Sequence, residues 1–164
     1  MLREISRNAG RKRRHQWIAL AAFCCACATT GAADLKTYWE YKEAGDFARI
    51  SEFLTGKEAS GNRILLRSTP GEREGLYFSI RVKGGVQTLP EGAKALLEVL
   101  HPDSPDARTH TFDVPSTVKN YRELMLGLTG ESWTSDEDKP LAWRVQILDA
   151  DGKVVGSNKS YLWR

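Results

Sequence analysis

After Cys27 the sequence contains no cysteine, and the three it has, Cys24, Cys25 and Cys27, stand together near the start. Residues 34–164 therefore hold no disulfide, no thiolate nucleophile and no cysteine-based metal site. Histidine is almost as scarce: of three, only His101 and His110 lie beyond residue 33. A nucleophilic triad needs a histidine beside its nucleophile, and no Gly-x-Ser-x-Gly elbow accompanies either one. A phosphate-cradling loop is missing too, because Lys83-Gly84-Gly85-Val86 lacks the Gly-Lys-Ser/Thr ending and reads as a turn. Internal repeats and low-complexity tracts are absent, so nothing subdivides the main domain.

What the start of the chain does have is a three-part leader. Arg11-Lys12-Arg13-Arg14 precede the apolar stretch Trp17 to Phe23, and Gly31-Ala32-Ala33 close it with small residues. This is the layout of a secretory signal peptide, with Gly31 and Ala33 three and one residues before a cut that leaves Asp34 first. Three alternatives stand beside it. Residues 17–33 form an uncleaved membrane anchor at the short end of the spanning range. Cys27 is a lipidation site, although Cys24 stands where a lipobox wants a Leu-like residue. Arg13-Arg14 belong to a twin-arginine signal, although Gln16 is polar where that motif wants an apolar side chain.

Removing the leader inverts the charge. The whole chain has 24 Lys+Arg and 21 Asp+Glu, for a net +3. Residues 1–33 carry six of the former and one of the latter, so 18 basic and 20 acidic side chains remain, for a net −2. The basic balance belongs to the leader, and a nucleic-acid-binding reading fails with it. The remaining 131 residues suit one domain with one core.

From Asn62 onward the apolar pattern has a period of two. Leu76, Phe78, Ile80 and Val82 alternate with Ser79, Arg81 and Lys83, and Trp143, Val145 and Ile147 alternate with Arg144 and Gln146. Such alternation buries one face of a strand. Asp149-Ala150-Asp151-Gly152 then turns the chain into Val154-Val155 and a last strand running on to Tyr161-Leu162-Trp163. Further strands are predicted over 63–68, 94–101, 109–114 and 124–128, separated by Thr69-Pro70-Gly71, Leu89-Pro90-Glu91-Gly92 and Pro102-Asp103-Ser104-Pro105-Asp106. Residues 93–98 also suit a helix, but the flanking prolines leave it little length. Seven short strands without crossover helices predict an antiparallel sandwich or barrel. They do not supply the outward apolar bands of a transmembrane barrel.

Residues 34–60 read differently. Tyr38-Trp39-Glu40-Tyr41 suits a short strand or an aromatic latch. Asp46 is a plausible N-cap for a helix carrying Phe47, Ile50, Phe53 and Leu54 and ending at Gly56. The expectation is that this helix packs its apolar face on the sandwich, with partner binding as the alternative.

The run Ala142 to Asp149, the hairpin Ala150-Asp151-Gly152-Lys153 and the final strand resemble the immunoglobulin-like and fibronectin type III-like β-sandwich domains of many exported bacterial proteins. The resemblance covers about two-thirds of the chain as strand pattern, and lacks the paired cysteines of antibody-type domains. It implies an all-β, antiparallel Ig-like sandwich of about seven strands with a short N-terminal helix. The expected layout is a signal peptide at 1–33, a helical or irregular segment at 34–60 and the sandwich at 61–164.

Candidate chemistry is sparse. Trp133 lies in the polar loop Gly130 to Asp136, where its ring would stack on a sugar while Glu131 and Asp136 bond hydroxyls. The competing reading makes Trp133 a plug over one end of the sandwich. His101 and His110, with Asp103 or Asp113, outline a zinc site for a small metal-dependent hydrolase. Asp149-x-Asp151-Gly152 begins like a calcium loop but lacks the closing Glu. Asp136-Glu137-Asp138 near Glu131 adds oxygen ligands, and no carboxylate pair stands at a glycosidase separation. Asn158-Lys159-Ser160 matches a glycosylation sequon by chance in a bacterial context. The reading that follows is an exported, non-enzymatic interaction module of the bacterial periplasm or cell surface, with no cofactor expected. Its partner is an envelope protein or glycan, with membrane attachment only through residues 17–33 or a lipidated Cys27.

Overall fold

Residues 33–116 and 121–164 are described by a computed structural model, and they form two four-stranded sheets around one core. The expected cleavage, anchor and lipidation sites, Ala33 apart, lie outside the described residues. In chain order the strands are β1 (Leu35–Lys42), β2 (Arg63–Arg67), β3 (Gly75–Val82), β4 (Lys94–Leu100), β5 (Ala107–Asp113), β6 (Glu123–Thr129), β7 (Ala142–Leu148) and β8 (Val154–Lys159). One sheet runs β1-β3-β6-β2 and the other β5-β4-β7-β8.

Period-two patterning decides which side chains meet. Leu76, Phe78, Ile80 and Val82 of β3 and Leu124, Leu126 and Leu128 of β6 face inward, opposite Ala95, Leu97 and Val99 of β4 and Val145 and Ile147 of β7. Phe78 meets Trp143 edge-on across the gap, with ring centroids 5.9 Å apart. Each fully buried side chain of this size contributes about 1.5–3 kcal/mol. The sheets also touch along one side. There Ala33 N donates to Val155 O at 2.6 Å, and Asn158 Nδ2 donates to Leu35 O at 3.0 Å.

The seven predicted strands are all present, and Tyr38–Tyr41 belongs to an eighth, β1. Two expectations need correcting. The last strand stops at Lys159, because Trp143 N donates to Ser160 Oγ at 3.0 Å in place of the Ser160 carbonyl, which accepts from Trp163 N in a turn. Tyr161 then projects into solvent, and Trp163 lies under the Arg144 guanidinium at 5.1 Å. The sheets are also not wholly antiparallel, since β2 pairs with β6 in parallel from Arg63↔Glu123 to Arg67↔Gly127.

That parallel pair determines the path of residues 43–62. β1 and β2 point the same way, so the connection must travel back along the sheet before β2 begins. It does so across the outer face of the β1-β3-β6-β2 sheet, which explains why Tyr77 and Met125 are buried although they face away from the core. Tyr77 lies over Gly127, where an added Cβ would stand 2.5 Å from the ring. The connection contains a 3-10 turn at Ala44–Phe47 and the helix α1 (Ile50–Thr55), which ends at Gly56 in the left-handed region as its sequence suggests.

Gly127→Ala should cost about 1–3 kcal/mol, because the fully buried Tyr77 ring has nowhere to go. The expected result is a lower urea midpoint at unchanged slope; an unaltered midpoint would show that the ring does not seat on this glycine.

Candidate functional site

At the end of the molecule where β4 finishes and β7 starts, the loop 130–141 folds inward. Trp133 is 2% exposed, its Nε1 donates to Ser135 O at 2.8 Å, and the His101 ring lies 4.0 Å from it. The plug reading holds. The glycan reading is corrected, because a ring covered on this scale offers no face to a sugar while Glu131 and Asp136 remain in solvent.

His101 and His110 do approach this plugged end, His101 from the end of β4 and His110 from the inner face of β5. His101 Nδ1 lies 3.1 Å from Asp103 Oδ1, yet the oxygen lacks the alignment of a hydrogen bond. Both His101 nitrogens and His110 Nε2 are buried without a partner. Among the described residues no three His, Cys, Asp or Glu side chains gather closely enough to hold a metal ion. Asp113 pairs instead with Lys94 at 3.7 Å. Asp149 Oδ1 accepts from the amides of Asp151 at 3.0 Å and Lys153 at 2.8 Å, which makes it a turn-forming residue.

Acidic groups collect around this end of the β1-β3-β6-β2 sheet. Tyr41 donates to Glu74 at 2.8 Å, and its phenol is pushed up to about 12 by burial first, then by Glu74, Asp136 and Glu43.

The opposite end is basic and open. A groove of about 1240 Å³ runs between the start of β2, the end of β3 and the connection 49–62. Arg49, Arg63, Arg81 and Arg122 line it, with Glu123 as the sole acid. Glu123 lies 3.0 Å from Arg63 and 3.8 Å from Arg81. Arg49 and Arg122 have no carboxylate within ion-pairing distance among the described residues. Reading the chain linearly misses this cluster, since its members are scattered. The register Arg63↔Glu123↔Arg81 assembles it.

Beside the groove stands α1, with its apolar residues turned outward. Ile50 is 87%, Phe53 97% and Leu54 84% exposed, which overturns the expectation that this face packs on the sheets. The reason is local. Ala48 and Arg49 adopt extended backbone angles, so the predicted single helix breaks into a 3-10 turn and α1. Asp46 accepts from Glu43 N inside the first turn instead of capping α1. Phe47 therefore packs on Tyr77, centroids 4.8 Å apart, while the next turn presents its polar side to the protein. Glu52 pairs with Arg73 and Glu58 with Arg67 beneath it.

The chain matches no protein family, no curated protein and no solved structure. No described helix is long and apolar enough to cross a membrane.

Burial pushes the His110 imidazole below its ordinary range, with Arg108 and His101 adding to the effect. The unfolded chain then binds a proton below about pH 6.5 that the native state refuses, so stability falls as pH drops through that region. His110→Leu should make the fall between pH 8 and pH 5 shallower in urea titrations; identical slopes in both proteins would exclude His110 as a source.

Proposed function

We propose that this chain is an exported, non-enzymatic interaction module of the bacterial envelope, and that α1 is its docking face. The observation that carries the reading is the outward stripe of Ile50, Phe53 and Leu54 on a helix clamped by ion pairs. Leaving such side chains in water forgoes about 1.5–3 kcal/mol each relative to burial. Contiguous exposed apolar residues rimmed by charge mark interaction sites more often than scattered ones do. Glu52 holds the helix by its polar side and Glu58 fixes the chain just beyond its end, so the stripe is presented in a defined orientation.

The strand connectivity supports the immunoglobulin-like reading of the fold. β1, β3 and β6 take the order of strands A, B and E, and β4, β7 and β8 that of C, F and G, with β5 beside β4. β2 occupies the edge where strand D would stand, but runs parallel to its neighbour. Domains of this architecture serve mainly to bind and to scaffold, which agrees with the interaction reading without naming a partner.

The double variant Phe53→Asp/Leu54→Asp should fold normally, within about 0.5 kcal/mol of wild type, because both side chains are already in water. Retention of solubilised envelope components on the immobilised protein should fall at least tenfold. Equal retention by the variant and the wild type would refute α1 as the docking face.

A further inference from the structure

The groove and the helix together specify what the docking face meets, granted that α1 is that face. Arg49 lines the groove and immediately precedes Ile50; Ser51 lines it too, while Phe53 and Leu54 stand one turn further on. A set of outward apolar side chains therefore borders a groove holding four guanidinium groups and one carboxylate. Lys36 and Lys83 lie at the same end of the sheet, around the neighbouring recess that also includes Arg81 and Asp34. Of the acids nearby on the same connection, Glu52 and Glu58 are paired with Arg73 and Arg67, and Asp46 borders a second recess with Arg49 and Arg63. Glu91, Asp113, Asp149 and Asp151 belong to the other sheet and its loops. β1 begins at this end as well, because Leu35 pairs with Val82, a groove residue.

A soluble anion such as free phosphate satisfies the arginines and leaves the apolar side chains in water. A neutral apolar surface does the reverse. Phosphates arrayed at the rim of a hydrocarbon phase satisfy both. We infer that this face docks on the anionic phospholipid surface of a membrane. Ile50, Phe53 and Leu54 enter the headgroup boundary, and Arg49, Arg63, Arg81 and Arg122 meet lipid phosphates. The acidic opposite end, around Glu74 and Asp136, points away and sets the orientation.

The test uses the protein purified from producing cells, its N-terminus assigned by intact mass. Its vesicles are phosphatidylcholine alone, or equal parts phosphatidylcholine and phosphatidylglycerol. Wild type should sediment with the anionic vesicles and release at high salt. Arg49→Gln/Arg122→Gln should weaken that partition roughly 30-fold, from about one lipid-surface interaction lost per arginine. Phe53→Trp should report insertion directly, its emission moving to the blue with anionic vesicles and not with phosphatidylcholine.

Equal binding to both vesicle types, no emission shift, or full binding by the arginine variant would overturn the inference. If vesicle binding fails while Phe53→Asp/Leu54→Asp still loses an envelope component, the docking face stands and its partner is a protein. If that variant loses nothing, the docking face falls too.

Discussion

The Arg67 guanidinium lies 5.0 Å from the centroid of Phe47, donates from Nε to the Tyr77 hydroxyl at 2.8 Å, and forks onto both oxygens of Glu58 at 2.7 and 2.6 Å. Four parts of the chain meet at that group: β2, β3, the 3-10 turn and the end of the connection that carries α1. The Tyr77 hydroxyl passes the network on by donating to Arg73 O at 2.6 Å. The hydrogen bonds from Arg67 hold the Glu58 carboxyl below its ordinary range, as expected for a carboxylate gripped by a fork. Energetically the ion pair is close to self-cancelling, since desolvating both partners offsets much of their attraction. The gain in free energy comes from covering Tyr77 fully, at about 1.5–3 kcal/mol, and Phe47 in part. What the ions add is direction, because a fork and a ring edge accept few alternative arrangements.

Once the connection is fixed at both Phe47 and Glu58, α1 has little freedom to turn over. Rotating it to bury Ile50, Phe53 and Leu54 would carry Glu52 away from Arg73 and pull on the Arg67 cluster. It would also have to dislodge Phe47, which already fills the ground above Tyr77. One aromatic ring in place excludes the three apolar side chains that follow it in sequence. The exposed stripe is thus a consequence of the parallel placement of β2, which forces a long return path over a sheet face with room for only part of it.

Most strands were legible because each one reports its own burial through alternation, and the turns between them carry Gly, Pro or Asp where backbone geometry demands it. β1 was only half legible: Leu35 is buried, but Trp39 and Tyr41 on the same face are partly covered, so the contrast between faces is weak. β2 was visible as a strand but not as a parallel one, since period two says nothing about direction. α1 was visible in its C-terminal end at Gly56 and in its stripe, but not in its start or its orientation. A stripe at spacing i, i+3, i+4 tells which residues share a face, and only tertiary partners tell where that face points. The break at Ala48–Arg49 carries no glycine or proline to announce it. For Trp133 a polar loop left both an exposed ring and a plug open, and the plug is realised because a carbonyl and a histidine ring cover the indole. The basic groove had no local signature, because strand register brings its arginines together from four separate places.

The net charge of −2 over residues 34–164 does not describe what a ligand near the groove experiences. An eight-residue strand such as β1 separates the ends of the sheet by about 26 Å. The Debye length at physiological ionic strength is about 8 Å. The acids around Tyr41 are therefore about two to three screening lengths from Arg81 and Arg122, at the far ends of β3 and β6, whereas Arg49 lies between the two ends, in a recess it shares with Lys42 and Asp46. Composition averages the two ends to near neutrality, whereas the fold keeps them apart. The plugged acidic end carries buried histidines with unpartnered nitrogens; the open basic end carries arginines outnumbering their carboxylates. Closing one end with Trp133 completes the core there. At the other end, the core is already sealed by Val82, Val86 and Ile64, so the arginines above it are not needed to cover apolar surface and keep their charge available to whatever approaches from solvent.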